Sequence, residues 1–109
     1  MKSLPAGLLK HKVIFQTCLL SQDGYNQETW INHFPMWAMI ETSKTKEDEM
    51  SGQLMTESMF KLTCRFSNRI SANHRILFKN RRFEIIGEPV NLNFENVVME
   101  INIKELTDA

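Results

Sequence analysis

Strict two-residue alternation is the feature that most narrows what this chain can become. Residues 59–66, MFKLTCRF, set Phe60, Leu62, Cys64 and Phe66 on one side of an extended backbone and Lys61, Thr63 and Arg65 on the other. On a helix the same residues would scatter around the circumference, so the segment reads as a strand with one face in a core. Residues 97–103 repeat the pattern, with Val97, Met99, Ile101 and Ile103 inward and Val98, Glu100 and Asn102 outward. Between them, RILFKNRRFEII (75–86) reads as a hairpin in which Ile76 and Phe78 share a side with Phe83 and Ile85. Its turn falls near Lys79, Asn80 and Arg81, and asparagine tolerates the positive φ that tight hairpins demand. Residues 12–20 are rich in β-formers and end at Ser21-Gln22-Asp23-Gly24, a turn signature. The pattern predicts a mainly β chain, a small barrel or sandwich of about six strands.

The stretch ETWINHFPMWAMIE, Glu28 to Glu41, holds both tryptophans of the chain. Trp30, Phe34, Met36, Ala38 and Ile40 share one parity, and Ile31, Trp37 and Met39 share the other, so both faces are apolar. Proline in such a run requires an edge or a bulge, and the pattern predicts a bulge at Phe34-Pro35. The rings read as packing rather than as a ligand platform. The expected core comprises Trp30, Phe34, Trp37, Phe60, Leu62, Phe66, Phe78, Phe83, Ile85 and Ile101.

Residues 42–58, TSKTKEDEMSGQLMTES, lack any two-residue period and interrupt the strands as a long loop between the second and third. Thr45 and Asp48 have the spacing of a capping box, with Met50 and Leu54 as a thin apolar side. Connections in compact domains have a median of about 4–6 residues, and much longer ones tend to carry function. Lys44, Lys46, Glu47, Asp48, Glu49, Met50, Leu54 and Met55 are therefore candidate interface residues, joined by Arg81 and Arg82 at the hairpin tip. Their mixed charge is equally compatible with a solvated surface.

The chain has 109 residues, one domain by length, with residues 1–8 as an N-terminal extension. Thirteen basic and thirteen acidic residues cancel, so no global field holds it on nucleic acid or an anionic membrane. Cys18 and Cys64 lack metal-ligand spacing and suit a reducing compartment. No run reaches about 18 apolar residues, and the opening MKSLPAGLL, broken by Pro5 and Gly7, is not a signal peptide, so a soluble, non-exported protein is expected. His11, His33 and His74 fall in separate segments, and no nucleotide, hydrolase or metalloprotease motif occurs. No catalytic residue, cofactor or metal is expected.

The order of short motifs resembles the head-tail joining (head closure or adaptor) proteins of tailed bacteriophages and prophages. The resemblance is carried by Leu9-Lys10-His11-Lys12-Val13, Asp23-Gly24, Thr29-Trp30 and Trp37-Ala38, and then by the loop at 42–58. It continues through Arg65-Phe66, His74 to Phe78 returning by Arg82-Phe83-Glu84-Ile85, and residues 97–103, which covers nearly the full length. Asn80 stands where relatives often carry glycine.

That resemblance implies a structural virion protein that acts in the host cytoplasm before assembly and in the head-tail connector afterwards. Copies of the chain would form a ring, roughly twelvefold, between portal or adaptor protein and tail completion protein. DNA would pass through without sequence-specific binding, with no membrane involved. The rival expectation is a single-stranded nucleic-acid binding barrel of the OB type, with Trp30 or Trp37, Phe66 and the Arg81-Arg82 hairpin forming a stacking groove.

Overall fold

The structure, a computed structural model, describes residues 6–20, 28–44 and 59–106. Six antiparallel strands form the fold: β1 (His11–Leu20), β2 (Glu28–Lys44), β3 (Met59–Arg65), β4 (Arg75–Phe78), β5 (Arg81–Asn91) and β6 (Val98–Leu106). They pair in the order β1-β2-β3-β6-β5-β4, and β4 pairs back onto β1 to close the sheet into a barrel. Closure leaves few unpaired edges, the usual liability of a β protein.

Alternation places most of the core as the sequence implies, although Val98, expected outward, is 6 % exposed. Val13, Phe15, Leu62, Cys64, Ile76, Phe83, Ile101 and Ile103 fill the barrel, each 2 % exposed or less. Of the expected core residues, Phe34, Leu62, Phe83 and Ile101 are buried, while Phe60, Phe66, Phe78 and Ile85 pack against them partly covered. Phe15 stacks on Phe34 with ring centroids 5.0 Å apart, and Phe60 meets Phe83 edge to face at 5.5 Å. Inside this apolar lining the Cys64 thiol is pushed up to about 12 by burial, which keeps it an inert core side chain.

The tryptophans do not join that core. Phe15 pairs with Phe34 and Gln16 with Asn32, so the extra residue of the β2 bulge is His33, one position before the expected Phe34-Pro35. An inserted residue reverses the side to which everything before it points. Trp30, which shares numerical parity with Phe34, is thereby turned to the outer face, where it pairs with Cys18 and lies half-buried beneath the Arg75 guanidinium, 4.1 Å from its ring. Trp37, opposite Lys12, is 52 % exposed and is a surface residue rather than a core one. Pro35 pairs with Ile14 where β3 does not reach, since the β2–β3 ladder begins only at Ala38; a residue without an N–H fits there.

Two further expectations are adjusted. Thr42, Ser43 and Lys44, read as the start of the loop, continue β2, because Phe60 and Met59 of β3 supply ladder partners for Thr42 and Lys44. Residues 45–58 lie outside the described residues, and with them Lys46, Glu47, Asp48, Glu49, Met50, Leu54 and Met55. The hairpin turn is the two-residue pair Lys79 and Asn80, at φ 51° and 64°, the mirror-image turn whose twist matches paired strands. A further bulge, between Ile86 and Val90, accommodates Gly87 at φ 76° and Pro89.

Candidate functional site

The strand pairings sort the surface features to the two ends of the barrel. At one end lie the Lys79-Asn80 turn, the last residues of β2 and the start of β3. At the other lie residues 66–74, the loop between β5 and β6, and a ribbon in which residues 17–20 of β1 and 28–31 of β2 pair, among the described residues, only with each other.

At the hairpin end, Arg81 grips Glu105 with both its Nε, at 2.7 Å, and an Nη, a bidentate pair on an exposed surface. This hydrogen bonding raises the guanidinium's pKa further. The cluster expected from sequence is therefore partly engaged within the chain, since Arg81 neutralises Glu105; nearby, Lys104 pairs with Glu84 at 3.1 Å. The pairings put the Arg81-Arg82 tip at the barrel end from which residue 44 leads into the undescribed segment.

At the opposite end the bulge at His33 shapes the surface. Lys12, Ile14, Asn32, His33, Phe34 and Pro35 line a groove of about 440 Å³ on the outer side of the β1–β2 pair. Residues 66–74 close over the inner flank of this region. The Arg69 guanidinium sits 4.2 Å from the Phe34 ring centroid, and His74, 8 % exposed, meets Phe34 and Phe15 edge to face. Ser71 donates its backbone N–H to His74 Nδ1 at 3.1 Å, which leaves the proton of neutral His74 on Nε2 and directs it at His33 Nδ1, 3.0 Å away. The His74 pKa is lowered, first by burial and then by the neighbouring His33 and Arg69. The His33–His74 hydrogen bond thus ties the 66–74 segment to the β2 bulge. Among the described residues no group of three or more His, Cys, Asp or Glu side chains gathers to hold a metal.

The loop after β5 was not singled out by sequence reasoning. Asn93, Phe94 and Asn96 all adopt positive φ, at 55°, 55° and 59°. Asn91 braces the turn through its side chain, donating from Nδ2 to Asn96 Oδ1 at 2.7 Å and accepting the Asn96 N–H at 3.0 Å. The result holds Phe94 at 91 % exposure. The spacing of three asparagines in NLNFEN was the available signal, because asparagine is enriched at positive φ.

The components of an OB-type stacking groove do not converge. Trp30 is capped by Arg75, Trp37 faces outward beside Lys12, Phe66 packs against the core near Val97, and Arg81 is held by Glu105.

Comparisons with known proteins agree with the architecture. The solution structure of protein SF1141 from Shigella flexneri 2a is similar over 97 % of this chain and 100 % of that one, with a TM-score of 0.72 at 24 % identity. A chain in the virion of a native gene transfer agent particle is similar over 92 % of this chain and 97 % of its own, with a TM-score of 0.70 at 15 % identity. At these identities the likeness is one of fold. No curated protein matches the chain. A family model described as phage head completion protein matches residues 4–106, nearly the whole sequence, and the chain belongs to that family of structural phage proteins.

Proposed function

We propose that this protein is a ring-forming subunit of the head-tail connector, seated between the portal or adaptor protein and the tail completion protein, where it helps to close the DNA-filled head. The family match over residues 4–106 carries this reading. The role is architectural, with no catalytic step and no cofactor. Thirteen basic residues balanced by thirteen acidic ones suit a conduit through which DNA slides, because a phosphate-neutralising surface would retard it. The barrel end bearing Arg81 and Arg82 and the undescribed segment with Lys46, Glu47, Asp48, Glu49, Met50, Leu54 and Met55 is proposed to meet a neighbouring connector protein. The subunit accumulates in the host cytoplasm and then resides in the virion.

Electron microscopy of particles made without this protein tests the reading. The expected product is packaged heads that lose DNA and lack tails, whereas wild-type particles show ring density at the connector. Tailed, DNA-retaining particles in its absence would refute it. Deleting residues 46–55 should leave a folded barrel that fails to complete heads, and infectious particles from that deletion would remove the segment from the mechanism.

A further inference from the structure

The loop at 91–96 and the groove on the β1–β2 pair have properties that belong together. Phe94 is 91 % exposed although a phenyl ring is among the costliest side chains to leave in water. Its backbone is also at φ 55°, a conformation that bulky L-residues seldom adopt. Strain and exposure at one residue, braced by the paired Asn91 and Asn96 side chains, describe a presented ring rather than an idle loop. The groove of about 440 Å³ is bordered by half-buried Ile14 and exposed Pro35, with Lys12, Asn32, His33 and the buried Phe34 completing its lining, and it is large enough to take a phenyl group.

In the closed order β1-β2-β3-β6-β5-β4, the β5–β6 pair is diametrically opposite the β1–β2 pair. The loop that carries Phe94 therefore starts and ends on strands across the barrel from the groove of its own molecule. A knob on one side and a socket on the other make a heterologous, head-to-tail contact that closes into a ring when the rotation permits. Charge agrees: exposed Glu95 follows the knob, and exposed Lys12 borders the socket.

We infer that Phe94 of each copy inserts into the Ile14, Phe34 and Pro35 groove of the next copy, with Glu95 set against Lys12, and that this contact is the subunit interface of the ring. The inference rests on the ring reading above and specifies its contact.

Cysteine trapping in assembled particles tests it. In a Cys18→Ser background, a full-length chain carrying both Glu95→Cys and Lys12→Cys, which keeps the phenyl ring and its groove, should oxidise to a ladder ending in a closed ring. A mixture of the two single-cysteine chains should stop at dimers. Phe94→Asn keeps a residue that tolerates positive φ and removes the phenyl ring, so it should leave the melting temperature unchanged or raised while weakening copy-to-copy association by about 10- to 100-fold. Lys12→Glu and Glu95→Lys should each weaken association, and the two together should restore it. Intact rings without the 95–12 crosslink, or with undiminished association of Phe94→Asn, would overturn this interface while leaving the ring. Rings of Phe94→Asn that assemble normally but no longer join other virion proteins would assign the phenyl to a different partner and overturn it equally. Absence of any ring in wild-type particles would overturn both readings.

Discussion

Trp37 and Phe34 lie three residues apart on the same strand, and their truncation to alanine separates the observed surface position of Trp37 from the core position expected of both rings. Phe34 is 6 % exposed, stacked on Phe15 at 5.0 Å and covered on another side by Arg69 at 4.2 Å. Removing such a ring from a packed core costs about 3–5 kcal/mol, with about 0.5–1 kcal/mol more for the lost cation contact. Trp37 is 52 % exposed, so just under half of its surface is withdrawn from water. An enclosed aromatic side chain buries about 150–250 Å², and half of that at about 25 cal/mol per Å², less the part an alanine methyl retains, leaves about 1–2 kcal/mol. Urea melting of both variants reads the difference directly. With a slope of about 1–3 kcal/mol per molar, Phe34→Ala should lower the midpoint by roughly 2 M and Trp37→Ala by less than about 1 M. Trp37 should also be the more readily quenched tryptophan by acrylamide, since Trp30 is sheltered by Arg75. Equal midpoint losses for the two variants, with unchanged slopes, would place Trp37 inside and contradict its outward position opposite Lys12.

Three other outcomes are expected. Because the His74 pKa is lowered in the folded state, the unfolded chain takes up its proton first, near the ordinary value of 6.5. The stability His74 supports is complete above that value and falls as pH drops below it, so urea midpoints between pH 7 and 5 should decline in the wild type and decline less in His74→Gln; identical slopes would dissociate His74 from the latch. Reversing Arg81 and Arg82 together to glutamate should cost about 1 kcal/mol in thermal melts, because the Arg81 side chain is more than half exposed, and should impair particle assembly; wild-type particle yield would mark the tip as solvated surface. Replacing Lys79-Asn80 with Asn-Gly should raise the melting temperature by a few degrees, since both positions hold positive φ; a lower melting temperature would argue against the two-residue mirror-image turn.

The parts of the fold that sequence reveals are those governed by local periodicity. Phe60, Leu62, Cys64 and Phe66, or Met99, Ile101 and Ile103, carry their sidedness in the two-residue spacing, and Asn80 marks its turn by its tolerance of positive φ. Trp30 shows where periodicity fails: parity counts through the strand, but a single bulged residue reverses it, and no local feature fixes whether that residue is His33 or its neighbours. The His33–His74 bond is invisible from sequence because its partners are separated by 41 positions and meet only when the 66–74 segment folds onto the β2 bulge. Phe94 was overlooked for the opposite reason. Hydrophobicity reads it as core, and only the asparagines around it, Asn91, Asn93 and Asn96, hint that the backbone turns it outward.

The division of labour between core and surface bears on how such a protein can wait in solution and then assemble. The barrel is closed by the β1–β4 ladder, and its interior from Val13 to Ile103 is covered without help from a partner, so folding does not depend on the ring. The groups proposed to make contacts, Phe94, Ile14, Pro35, Arg81 and Arg82, lie outside that interior or only at its margin. An exposed phenyl at a narrow loop tip adds little contiguous apolar surface, which limits indiscriminate association, yet it can bury almost its whole area on docking. With zero net charge, copies do not strongly repel one another as they gather around an axis. Substitutions at these positions should therefore change assembly and melting temperature independently, whereas substitutions at Phe34 or Phe83 should change both together.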